Sequence, residues 1–72
     1  MNNSNVAKIQ LNGDPYEINV SMSLNELLNK LKIEKNKVAI EVNGEIVQKD
    51  KYVNLILNKD DKVEIVQFIG GG

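Results

Sequence analysis

The chain has 72 residues and a net charge of -1 from 9 basic and 10 acidic side chains. At this size it forms one domain near the lower limit for folding alone, where roughly 60% of the unfolded surface is buried. The even charge balance argues against nucleic acid as the principal partner, which needs a clustered basic face.

Neither cysteine nor histidine is present. Disulfides, thiolate or imidazole metal sites and imidazole acid–base catalysis are therefore excluded from its own side chains. A hydrophobic fraction of 42% with one proline suits a compact core rather than a disordered segment. The three aromatics, Tyr16, Tyr52 and Phe68, do not make a stacking platform for bases. Residues Met1 to Asn5 are polar and lack the basic-then-apolar layout of a signal peptide. No apolar run approaches the ~20 residues of a membrane-spanning helix. A cytoplasmic location is the expectation.

In chain order, Ala7, Ile9 and Leu11 alternate with Lys8 and Gln10, the pattern of a half-buried strand. Asn12-Gly13-Asp14-Pro15 is dense in turn formers, and Asn-Gly supplies the positive φ of tight hairpins. Tyr16, Ile18 and Val20 then alternate with Glu17 and Asn19, so the first two strands are predicted to form a hairpin. Ser23-Leu24-Asn25-Glu26 has the spacing of a capping box. Leu24, Leu27, Leu28 and Leu31 follow at helical spacing as one apolar stripe, with Asn25, Glu26, Asn29, Lys30 and Lys32 facing water. That stripe is read as packing on the sheet rather than as a partner groove, because a small sheet needs such a cover.

Lys32 to Lys37 reads as a solvated loop. Val38, Ile40 and Val42 form the next strand, Asn43-Gly44 a second tight turn, and Ile46-Val47 a short return strand. From Lys49 to Asn58 the apolar residues Tyr52, Val53, Leu55, Ile56 and Leu57 follow no clean period. This stretch is expected to be an irregular crossing over the core. Asn58 to Asp61 is a polar turn into the final strand, whose apolar character places it centrally. The element order gives an α+β fold, one helix packed across a small mixed sheet. Asp60, Asp61 and Glu64 match no metal-ligand loop and read as solvated charges.

The last ten residues, Val63 to Gly72, organise the rest. Val63 and Ile65 lie on one side of an extended strand, Val66 and Phe68 on the other. One face belongs to the core. The other is covered either by the Lys49 to Asn58 segment or by a partner protein. After Ile69, Gly70, Gly71 and Gly72 have no side chains, and they read either as a frayed end or as a thread for a narrow channel. A carboxylate on Gly72 would be well placed for modification by another enzyme.

Val38 to Val47, including Asn43-Gly44-Glu45-Ile46-Val47, and Asp61 to Gly72 closely resemble the thiamine-biosynthesis sulfur carrier proteins. The resemblance runs from about Ala7 to the end. It implies the ubiquitin-like β-grasp fold, with residues 1–69 as one domain and 70–72 as a flexible tail. It further implies a non-enzyme, a substrate that binds no cofactor itself. An adenylating, E1-like partner would use ATP on the Gly72 carboxylate, and a cysteine desulfurase relay would supply sulfur to give a thiocarboxylate. Thiazole synthase would then receive the sulfur. Val66, Phe68 and Ile69 are the expected docking residues. Two positions depart from the family's pattern: Gln48-Lys49 replaces Pro-Arg, and Asp60-Asp61 replaces Gly-Asp. A molybdopterin-synthase small subunit, a protein-conjugating ubiquitin-like modifier and a plain β-grasp binding module remain alternatives. The first two share the tail chemistry, and the short chain favours the thiamine carrier over the synthase subunit.

Overall fold

Two Asn-Gly turns set the frame of the sheet in the computed structural model, which describes residues 5–68. Asn12 and Gly13 have φ of 50° and 88°, and Asn43 and Gly44 have φ of 53° and 85°. Two successive left-handed residues match the twist of the flanking strands, as a two-residue hairpin requires. The first turn joins β1 (Val6–Leu11) to β2 (Asp14–Asn19), and the second joins β3 (Val38–Val42) to β4 (Glu45–Ile46). The last strand, β5 (Lys62–Gln67), lies between the hairpins in the order β2-β1-β5-β3-β4. It pairs parallel with β1 and antiparallel with β3, so the sheet is mixed and β5 is central as expected.

Helix α1 (Leu24–Leu31) covers one face. Its start is the predicted capping box: Ser23 Oγ accepts from Glu26 N–H at 3.0 Å, and Glu26 Oε1 accepts from Ser23 N–H at 2.8 Å. Leu24, Leu27 and Leu28 are buried against Ile9, Ile18, Val38, Ile40 and Val63. The helix ends with Lys32 at φ 60°, while Ile33 N–H donates to Leu28 C=O at 2.9 Å. That is a Schellman-type stop with lysine where glycine is usual.

Three details differ from the sequence reading. Lys32–Lys37 is more than a solvated loop, because Ile33 packs on the core and Lys35–Lys37 forms a 3₁₀ turn. Val20 lies beyond the end of β2 and is exposed, since the strand stops at Asn19 and Ser21 turns with φ 65°. The return strand begins one residue earlier, at Glu45, although Val47 N–H still donates to Ile40 C=O at 2.9 Å. Ile46 itself points outward.

The irregular stretch does cross the core, and it has a further task. A 3₁₀ turn at Lys49–Lys51 delivers Tyr52 to the interior, and Leu57 follows it in. The first amides of a helix have no partner within it. Here Leu24 N–H donates to Leu55 C=O at 2.8 Å and Asn25 N–H to Tyr52 C=O at 3.0 Å. The crossing thus completes the helix start as well as the core.

Side chains of both turn asparagines hold β5. Asn43 Oδ1 accepts from Lys62 N–H at 2.9 Å, while its Nδ2 donates to Asp61 at 3.0 Å. Asn12 Oδ1 accepts from Ile65 N–H at 2.7 Å, and its Nδ2 donates to Ile65 C=O at 3.2 Å. The Asn12 amide therefore replaces the strand neighbour that β5 loses where β1 ends. At the entry turn Asp60 has φ 70°, a left-handed geometry that aspartate tolerates.

Replacing Asn12 with Ala removes two hydrogen bonds to β5. The domain should lose about 1–3 kcal/mol by urea unfolding, and the Ile65 amide should exchange with solvent faster than that of Val63. Burial pushes the Tyr52 hydroxyl above its ordinary value of 10.0. The folded chain thus keeps this proton where the unfolded chain loses it. Its contribution is complete below about pH 10 and is lost as pH rises through the raised folded value. Urea midpoints measured between about pH 9 and 11 should fall more steeply for the parent than for Tyr52→Phe.

Candidate functional site

Alternation along β5 divides its side chains between two environments. Val63 is buried and Ile65 packs against the core beneath the helix. Glu64, Val66 and Phe68 turn the other way. Val66 is 60% exposed and Phe68 59%, so the segment from Lys49 to Asn58 does not cover them. Within that segment, Lys49 Nζ stands 6.0 Å from the centre of the Phe68 ring. A cation at this range contributes weakly, and it occupies one of the positions where the chain departs from the Pro-Arg pattern.

The register brings further residues to this face. Ala39 pairs with Val66, and Glu41 pairs with both Glu64 on β5 and Ile46 on β4. Ile46 is 71% exposed, more than Val66 or Phe68. The outer face of β4, β3 and β5 thus carries Ile46, Ala39, Val66 and Phe68 around two carboxylates. Ile46 was recoverable from the sequence: a two-residue Asn43-Gly44 turn pairs Glu41 with Ile46 and puts both on one face. The sequence reading placed Ile46 only in a return strand and assigned it no role.

Backbone direction is fixed as well. Phe68 N–H donates to Lys37 C=O at 2.9 Å, so hydrogen bonding to the β3 side continues past the end of β5. With Asn12 on the opposite side, the strand is held from both edges as it leaves the sheet. Ile69, Gly70, Gly71 and Gly72 lie outside the described residues. Val66 and Phe68 are therefore the predicted site residues that the structure places, on the sheet face opposite α1, with Ile46 on the same face across β3.

Among the described residues, this face offers apolar contact, the Glu41 and Glu64 carboxylates and the Lys62 ammonium, while Asp61 is occupied by the Asn58 amide at 2.7 Å and by Asn43. Asp60, Asp61 and Glu64 do not gather into a group of metal-ligating side chains among the described residues. Among these residues no helix is long and apolar enough to cross a membrane.

The chain matches the family model described as the ThiS family over residues 9–72. It is similar to a thiazole synthase of Paramagnetospirillum magneticum, 45% identical over 65 residues, covering 90% of this chain and 20% of that protein. The chain therefore spans about a fifth of the length of the thiazole synthases it matches. The sulfur carrier protein ThiS of Bacillus subtilis is 35% identical over 65 residues, which cover 89% of this chain and 98% of that one. The crystal structure of thiamine biosynthesis protein ThiS from Geobacter metallireducens superposes with a TM-score of 0.79 at 31% identity. That alignment covers 90% of this chain and 99% of the other. The likeness extends to the β-grasp arrangement of one helix on a five-stranded mixed sheet. With sequence, fold and length of match in agreement, this chain belongs to the ThiS family.

Proposed function

We propose that the chain is a sulfur carrier in thiamine biosynthesis, acting as a substrate of other enzymes through the carboxylate of Gly72. The observation that carries this reading is the direction of β5. A central strand, clamped by β3 and Asn12, leaves the sheet beside an exposed apolar face and continues into Gly70-Gly71-Gly72. The domain offers a rigid handle, and the sequence beyond it has no side chains to obstruct a narrow channel.

The chemistry follows from the reactivity of a carboxylate, which is a poor electrophile. An adenylating partner joins the Gly72 oxygen to the α-phosphorus of ATP, with pyrophosphate leaving. A sulfur nucleophile from a desulfurase relay then attacks the glycyl carbonyl. With a persulfide as that nucleophile, the carbon–oxygen bond to AMP breaks and an acyl disulfide forms; a second thiol then attacks the relay-side sulfur, forming a disulfide there and releasing the Gly72 thiocarboxylate. Water competes with sulfur at the acyl-adenylate, so a covered channel protects the intermediate. Glycines suit such a channel because their backbone can lie close to its walls.

Thiazole synthase is the proposed acceptor. This is supported by relatives named thiazole synthase in which a fifth of the chain matches this domain. The carrier itself contributes no acid, base or nucleophile beyond its terminal group. Its exposed face, with Val66 and Phe68 and with Ile69 following, supplies docking to the adenylating enzyme.

Deleting Gly72 should abolish sulfur transfer in a reconstituted assay with the adenylating enzyme, ATP and a sulfur donor. Its urea midpoint should match the parent's. Normal transfer by the shortened chain would overturn the reading. Phe68→Asp should change folding stability by less than about 0.5 kcal/mol, as for surface positions generally, yet weaken binding to the adenylating enzyme by titration calorimetry. Unchanged binding would remove Phe68 from the docking face.

A further inference from the structure

The outer face carries a charge pattern that the fold does not use. Glu41 and Glu64 stand directly opposite each other across β3 and β5. Side chains in that relation have Cβ atoms about 4.5–5.5 Å apart, and like charges there are destabilising. Both residues are exposed, and neither is ion-paired among the described residues. Lys62 lies two positions before Glu64 on the same face of β5 and lines one depression with both carboxylates, yet it forms no salt bridge with either.

Lys62 and Asn43 border the pair on one side, and apolar side chains border it on the others. Ile46 flanks Glu41 on the side away from Glu64, and the next cross-strand pair is Ala39 with Val66. Phe68 lies beyond Val66 on the same face. A partner that covers Ile46 and Val66 necessarily takes water from the two carboxylates between them. Desolvating two adjacent anions without a counter-charge is costly. Lys62 offers one positive charge against two carboxylates, so a partner covering this spot is favoured if it brings a further cation.

A guanidinium fits the requirement better than an ammonium. Its planar fork presents five donors and can reach both carboxylates at once, and it sheds water more readily. A second copy of this chain is the wrong occupant, because a two-fold contact through this face would bring two acidic pairs together. We propose that the adenylating enzyme docks here through an arginine set among apolar side chains, with the guanidinium seated between Glu41 and Glu64. The apolar surround would cover Ile46, Val66 and Phe68. This rests on the reading that the outer face is the docking face, and it adds the residue chemistry the partner must present.

The test is binding of the Glu41→Gln/Glu64→Gln double variant to the host's adenylating enzyme at low and high ionic strength. Glutamine preserves size and removes both charges. The expected result is affinity reduced about tenfold or more at low salt, with a salt dependence flatter than the parent's. The melting temperature should be equal to or higher than the parent's, because a repulsive pair has been removed. Parent-like affinity with parent-like salt dependence would overturn the proposal. Phe68→Asp separates the two claims. If it impairs binding while the double variant does not, the docking face stands and the arginine is withdrawn; if it binds as the parent does, the docking face fails too.

Discussion

The structure depends on a geometric constraint in β5: an extended strand shows alternate side chains to opposite sides, whatever their chemistry. A domain of this size has one helix, so it can cover one side of its sheet. Val63 and Ile65 take that side with Leu24, Leu27 and Leu28, and Val66 and Phe68 are left on the other. Fully burying a side chain of this kind is worth roughly 1.5–3 kcal/mol. A partner covering the exposed half of both would gain about 2–3 kcal/mol from these two residues. The central strand is therefore both the spine of the core and the source of the unsatisfied face.

Position follows from the turns. Asn12 and Asn43 first supply left-handed backbone for two hairpins, then use their side chains to hold β5 near its middle and at its entry. An Ala or Ser would fail at both tasks. Because the hairpins sit on either side of β5, the strand's exit is fixed with respect to Ile46, Val66 and Phe68. The asparagine amides thus hold β5 in place relative to the exposed apolar face.

Strong local signals made most of the fold legible in the sequence. The Asn-Gly turns, the Ser23–Glu26 box and the leucine stripe each state a local geometry, and all agree on one helix across a sheet. The central place of β5 followed from its apolar run. The residues from Lys49 to Asn58 were opaque because they follow neither the helical nor the strand period. Tyr52 and Leu57 enter the core from a 3₁₀ turn and from an isolated pairing of Ser23 with Ile56. Ile33 was hidden for a similar reason, standing just past a helix stop made by lysine instead of glycine. At the site, Val66 and Phe68 could be read from alternation alone. The Asn12 clamp and the Glu41–Glu64 pair could not, since both join residues far apart in sequence through a register that only pairing reveals.

Fold, family and the two-sided strand agree with the proposed role, in which the globule would present a Gly72 carboxylate to other enzymes. Intact mass spectrometry of the protein purified from its own host, without added thiols, tests that claim most directly. The account predicts a fraction of molecules heavier by the replacement of one carboxyl oxygen with sulfur, located by fragmentation at Gly72. A population carrying only the ordinary carboxylate while the host is actively making thiamine, or one joined through Gly72 to a lysine of another protein, would contradict it.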